Sequence, residues 1–224
     1  MLLTDILFPR VCPVCGEVLL KDEHYLCLAC EVDFPLTFFW NWSGNPAEIL
    51  FWGRLKEVKA SALFYYREGS DYKEIVHKFK YNGERKMGLF FAHMLGVKMR
   101  ESGRFADIDY VIPVPLHFYK RWRRGFNQAE IIAEGVAQEL GKPLLGGVLV
   151  RSRYTATQTK KDPEERWKNV FEAFRIRGAE KVEGKHILLV DDVLTTGATI
   201  EACGRHLEGV EGCRVSVATL GFVE

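Results

Sequence analysis

Two adjacent carboxylates, Asp191 and Asp192, follow the apolar run Ile187 to Val190 and precede the turn Thr195-Thr196-Gly197-Ala198-Thr199. The run is too short for an independent helix and has Gly184 before it, the pattern of a buried, parallel strand. The strand is expected to end at the acids, and a short helix to open after the turn through Ile200, Ala202 and Leu207. A strand, a hydroxyl-rich turn and a helix N-terminus bring free N–H groups and the helix dipole to one point, which makes a cradle for a phosphate. Paired acids at the strand tip suit a polyol, a hard metal ion, or both. The competing reading of a Thr-rich turn before a helix is a plain N-cap. No Lys follows the glycine as in a P-loop, and no Gly-x-Gly-x-x-Gly dinucleotide turn is present. A receiver domain also carries paired acids, but there they open the domain, whereas here only about one helix and one strand remain.

A second group of residues with chemistry lies at the other end. Cys12-x-x-Cys15 and Cys27-x-x-Cys30 are separated by eleven residues. Without an export signal, two such knuckles favour tetrahedral zinc over disulfides, since each turn can present two thiolates at about 2.3 Å to one ion. A pair of redox dithiols is the alternative, and no βαβ pattern surrounds either knuckle. His24 lies between them as a further ligand or as a surface histidine.

The elements that must position these residues are an α/β series. Phe34, Phe38, Phe39, Trp40 and Trp42 form an aromatic stretch that is expected to pack the cysteine module on the larger domain after it, with a partner-binding surface as the other reading. The boundary is expected near Trp52 to Lys56. Ala60–Tyr66 and Tyr110–Val114 read as strands, and Asp71–Lys80, Met87–Arg100 and Ala129–Leu140 as helices. Between the strand Tyr110–Val114 and the helix from Ala129 the chain reads as a tight turn, which carries a basic-aromatic cluster from Lys120 to Phe126 on the rim where a parallel sheet binds ligands. Arg151 to Phe174 is polar, charged and interrupted by Pro163, the composition of a mobile hood, with strand character near Phe171 to Ile176. Arg214 to Phe222 closes the sheet, and Cys203 and Cys213 read as small apolar fillers.

The 224 residues suffice for one good domain plus a small appendage, and 47% hydrophobic with 27% charged residues is an ordinary globular balance. The formal net charge of +1 removes any global attraction to nucleic acid or anionic membrane. No apolar run approaches a membrane span, and the N-terminal stretch lacks a basic n-region, so a cytoplasmic location without membrane insertion is the expectation.

The run ILLVDDVLTTGAT resembles the phosphoribosyl pyrophosphate signature of type I phosphoribosyltransferases. The whole chain resembles the ComF family, whose members carry a cysteine-knuckle module ahead of a phosphoribosyltransferase domain. The further signatures are Pro113-Val114-Pro115-Leu116 followed by Arg124-Gly125-Phe126-Asn127-Gln128, then Thr155-x-x-Gln158, then Arg166-x-x-Asn169 before Ala173-Phe174. The chain departs from the pattern at Lys120, where Arg is usual, and at Lys161 and Glu172, where Leu and Gly are common. Lys120 keeps a charge but loses a bidentate phosphate contact.

The resemblance implies a type I phosphoribosyltransferase fold: a parallel twisted sheet flanked by helices, with a flexible hood, behind a small N-terminal zinc module of four cysteines. The module would span 1–54 and the phosphoribosyltransferase domain 55–224. Asp191 and Asp192 would hold the ribose hydroxyls of phosphoribosyl pyrophosphate, directly or through Mg2+, and stabilise the cationic sugar. Thr195, Thr196, Gly197, Ala198 and Thr199 would grip the 5-phosphate. Val114, Pro115 and Arg124 would meet the pyrophosphate, and Arg151, Arg153, Gln158 and Arg166 would belong to the hood. Two functions then stand side by side. One is transfer of ribose 5-phosphate to an amine or nucleobase. The other is a competence accessory role in DNA uptake, binding single-stranded DNA or a helicase partner, with the pocket as a sensor. The acceptor and the oligomeric state stay open.

Overall fold

A computed structural model describes residues 9–81, 84–152 and 169–224. Ala60–Tyr66 (β1), Tyr110–Pro113 (β2), the short antiparallel pair Leu149–Arg151 (β3) and Phe174–Ile176 (β4), His186–Leu194 (β5) and Arg214–Val223 (β6) are the strands. The main sheet runs β1-β6-β5-β2 with every pairing parallel. The helices are Leu28–Val32 (α1), Pro46–Ile49 (α2), Lys73–Tyr81 (α3), Arg85–Ser102 (α4), Phe118–Arg124 (α5), Gln128–Leu140 (α6) and Ala198–Glu208 (α7).

Along β5 the pleat sends Leu188 and Val190 to one face and Ile187 and Leu189 to the other. The first face packs Phe79 of α3, Phe91 and Leu95 of α4, and Ile132 of α6. The opposite face packs Ile200, Cys203 and Leu207 of α7. Both faces are covered, which is why the central strands are apolar throughout and not alternating. A β-carbon on Gly135 would lie 2.7 Å from Ala92 Cβ, so only glycine lets α6 approach α4 this closely. Among the described residues, no helix is long and apolar enough to cross a membrane.

Three sequence expectations are corrected. The strand does not stop at the acids: β5 runs on through Val193 and Leu194, which pair with Gly221 and Phe222, because β6 extends the ladder that far. The basic-aromatic stretch is not simply a turn but holds helix α5, started by His117 Nδ1 accepting from Tyr119 N (3.3 Å) and stopped by Gly125 at φ 79°. Arg151, expected in a mobile hood, lies on β3 opposite Phe174, with its guanidinium 5.1 Å from that ring. The pairing of β3 with β4 fixes it at the foot of the excursion.

The N-terminal aromatics pack as expected. Phe34, Phe39 and Trp40 are buried, and Phe34 stacks on Phe91 of α4 at 5.7 Å. Phe38 and Trp42 stay about half exposed. Asn45, fully buried, donates to the carbonyls of Phe39, Trp42 and Ala60. Arg104 pairs with the buried Glu48 at 2.6 Å and donates to Phe39 O and Trp42 O. The segment Leu50–Lys56 then lies along α7. Leu55 fills the place of a side chain on Gly204, and Lys56 N donates to Glu208 Oε1 at 2.7 Å.

Candidate functional site

The acids sit where β5 leaves the core. Asp191 is registered against Thr219 of β6, one step beyond Val190, whose carbonyl accepts from Val114 N at 2.8 Å. The Pro113-Val114-Pro115 turn therefore lies beside the acid pair at the carboxyl edge of the sheet, where open α/β sheets hold their ligands. Asn127 fixes that turn: it is buried, donates to Val114 O at 3.1 Å and caps α6 by accepting from Ala129 N at 3.2 Å.

The stretch Thr195–Gly197 links β5 to α7. Gly197 is the N-cap of α7 at φ 73°, and no side chain caps that helix. The N-cap position expected of a threonine is thus taken by Gly197. Thr196 Oγ1 makes only a long contact to Ala198 N, 3.5 Å. Asp191 and the stretch Thr195–Thr199 line a pocket of about 50 Å³, a volume suited to a single phosphate group. Ala198, Thr199 and Ile200, the first residues of the eleven-residue helix, whose N–H groups have no acceptor within the helix, are among the residues that line it.

Electrostatics distinguishes the two acids. Burial, and then the negative charge of Asp192, push the Asp191 carboxyl up to about 7. Asp192 N donates to Asp191 Oδ1 at 2.9 Å, and Lys80 Nζ of α3 lies 3.0 Å from Asp192 Oδ2. Two adjacent oxygen-bearing side chains in an enclosed, anionic corner fit a hard divalent cation or a vicinal diol, and their donor set would not suit a soft metal.

Sequence reasoning placed Asp191, Asp192, Thr195 to Thr199, Val114 and Pro115 at this edge, and the fold brings them together. Arg124 ends α5, with its side chain outside the described part. Arg153, Gln158 and Arg166 lie outside the described residues. Arg151 stands close enough to Asp191 to favour its charged form. Three neighbours were missed. Lys80 reads locally as the end of a helix, Asn127 as a cap, and Arg54 as linker. Arg54 nevertheless donates to Thr196 O at 2.9 Å and reaches Glu201 of α7 at 3.7 Å. Leu50 and Phe51 press on Gly197 from the same side. These are contacts between residues far apart in the chain, for which local patterning has no signal.

At the N-terminus the sulfurs of Cys12, Cys15, Cys27 and Cys30 converge, with all ligand atoms within 4.8 Å of one another and Cys15 to Cys27 at 3.5 Å. Tetrahedral sulfurs about 2.3 Å from one ion have spacings of this order, so the cluster could hold such a metal. Burial opposes ionisation of Cys12, but backbone N–H groups outweigh it and bring that thiol down to about 7. Burial and the other sulfurs push Cys30 up.

A family model described as a phosphoribosyl transferase domain matches residues 127–222. Competence protein F of Haemophilus influenzae is 29% identical over 147 residues, 63% of this chain and 64% of that protein. The DNA utilization protein YhgH of Salmonella typhi is 33% identical over 129 residues, 56% of each chain. Competence protein ComFC of Bacillus subtilis is 28% identical over 213 residues, 94% of this chain and 77% of that protein. The chain thus spans less than two thirds of the length of the first two relatives. Among solved structures, a purine phosphoribosyltransferase from Pyrococcus horikoshii aligns over 64% of this chain and 76% of its own, at 18% identity and a TM-score of 0.39.

Proposed function

We propose, from the premise that this chain belongs to the ComF family of proteins with a phosphoribosyltransferase domain, that it binds phosphoribosyl pyrophosphate with magnesium in the cytoplasm. It then transfers ribose 5-phosphate to an amine or nucleobase. The observation that carries this reading is the phosphate-sized pocket beside two enclosed acids at the carboxyl edge of β5.

In this reading the 5-phosphate sits in the Thr195–Thr199 cradle, on the backbone N–H groups and the positive end of α7. Asp191 and Asp192 take the two ribose hydroxyls, which fixes C1 toward the Val114-Pro115 turn. As the bond from C1 to pyrophosphate breaks, positive charge grows on the sugar, and the two carboxylates face it from below. The acceptor lone pair then forms the new bond to C1 while the bonding electrons leave with pyrophosphate. Asp191 and Asp192 would hold magnesium when it is bound, and the ion would supply charge neutralisation for the departing group. Arg151, held on β3, adds positive charge on the Asp191 side of the site. At the other end, the four cysteines hold a structural zinc.

A second reading has its own observation. Helix α5 exposes Phe118, Tyr119 and Trp122, with Trp122 79% accessible, beside Arg121. Aromatic faces among cations are how single strands are held, which suits a non-catalytic accessory role in DNA uptake.

Calorimetry separates the two. Phosphoribosyl pyrophosphate should bind only with magnesium present, and Asp192→Asn should weaken it about tenfold or more, the usual order for losing a partner to a charged group. A single-stranded oligonucleotide that binds normally to Asp192→Asn but poorly to Trp122→Ala would support the accessory role. Unchanged sugar diphosphate binding in Asp192→Asn would reject the transferase site.

A further inference from the structure

We infer that Lys80 is the internal counter-ion of the acid pair, and that any cation or sugar diphosphate entering the site must take its place beside Asp192; this rests on the ligand reading given above. The ammonium lies 3.0 Å from Asp192 Oδ2, and the two side chains are only 21% and 15% exposed. That is unlike a surface ion pair, where long side chains hold a geometry at little net gain.

The position is set by packing. Lys80 follows Phe79, which is fully buried on the same face of the sheet as Val190, and Ile75 and Val76 seat the preceding turn of α3. The stem therefore leaves a fixed helix and reaches across to β5. Three charged groups act on Asp191: Asp192 against ionisation, Lys80 and Arg151 in favour. Two carboxylates in an enclosed corner repel one another, and a single ammonium within hydrogen-bonding reach offsets most of that repulsion.

The same charge has opposite consequences for two ligands. A free divalent cation is repelled by Lys80 and must compete for Asp192. A sugar diphosphate carries several negative charges, so the displaced ammonium, still tethered within reach, attracts it. Removing the ammonium should therefore strengthen binding of the bare cation and weaken binding of the magnesium complex of phosphoribosyl pyrophosphate. A lysine with a merely structural role would move both in the same direction, or neither.

The test uses the full chain and Mn2+ alone, followed by electron paramagnetic resonance of the free ion. Lys80→Met keeps the apolar stem and loses the charge; Lys80→Gln is the second variant, in case the first folds poorly, and circular dichroism checks both. Mn2+ should bind about tenfold more tightly to the variants than to wild type, and the magnesium–sugar diphosphate complex about tenfold more weakly, by calorimetry. Equal or weaker Mn2+ binding in the folded variants would overturn the inference, and sugar diphosphate binding by wild type would then show the site reading still intact. If wild type binds no sugar diphosphate and the variants gain no Mn2+, both the counter-ion role and the site reading fall.

Discussion

Replacing Gly197 by alanine tests whether the N-terminal segment presses on the phosphate cradle. Gly197 sits at φ 73°, and a β-carbon there would lie 3.0 Å from Phe51 Cε1 and 3.1 Å from Leu50 Cδ2. The left-handed backbone alone costs an alanine roughly 1–2 kcal/mol. The contact adds about 1 kcal/mol, because a packed ring must give by a few tenths of an ångström. Gly147 supplies the control: it has φ 78° with nothing within 4 Å of a β-carbon, so Gly147→Ala carries the backbone cost only. Urea unfolding followed by tryptophan fluorescence should place Gly197→Ala about 1 kcal/mol below Gly147→Ala, or about 2–4 °C lower in Tm for a chain of this size. Inorganic phosphate should also protect the wild type against unfolding and the Gly197 variant much less. If the two variants unfold together within about 0.3 kcal/mol, less than the contact cost expected of a packed ring, Leu50 and Phe51 do not brace the loop, and the packing argument fails.

Protein purified without added metal should contain about one zinc per chain, and Cys27→Ser should lower that content and destabilise the N-terminal module; four freely titratable thiols in the native protein would contradict the zinc assignment. The acid pair should make stability depend on pH. Asp191 has a folded-state pKa raised to about 7 by burial and by Asp192, above the ordinary carboxylate value. The folded state therefore holds this proton more tightly than the unfolded chain, and stability falls as pH rises from about 4 to about 7. Asp191→Asn should remove that part of the slope in thermal melts across the window, and an unchanged slope would mean that the carboxyl ionises normally.

Much of this architecture is legible in the sequence because its strands are short apolar runs with clear boundaries, and because the Asp-Asp and Thr-Thr-Gly elements are contiguous. Ile187 to Val190 had to be a buried strand, and the aromatic stretch from Phe34 had to be covered by something. The details that escaped are those decided by a distant partner. Whether β5 stops at Asp192 or runs to Leu194 depends on β6 offering Gly221 and Phe222 as ladder partners. Arg151 reads as a loop residue until Phe174 pairs with it. Lys80 and Arg54 reach the site through folded geometry, across 112 and 142 residues, from Lys80 to Asp192 and Arg54 to Thr196. Neither has a local pattern that differs from an ordinary solvated cation.

The position of β6 has a consequence for biosynthesis. Among the described residues β6 is the strand of the main sheet that pairs with β1, whose other side takes only a bridge from Leu36, and β6 separates β1 from β5. On the ribosome, β1 would emerge about 150 residues before the strand that completes its ladder. Until residues 214–223 arrive, the apolar faces of Leu63, Phe64, Leu188 and Val190 lack their central partner. The nascent chain must therefore be kept from aggregating for most of its synthesis, and a ribosome stalled a few codons before Arg214 would leave an open sheet with two unpaired edges and no closed ligand site.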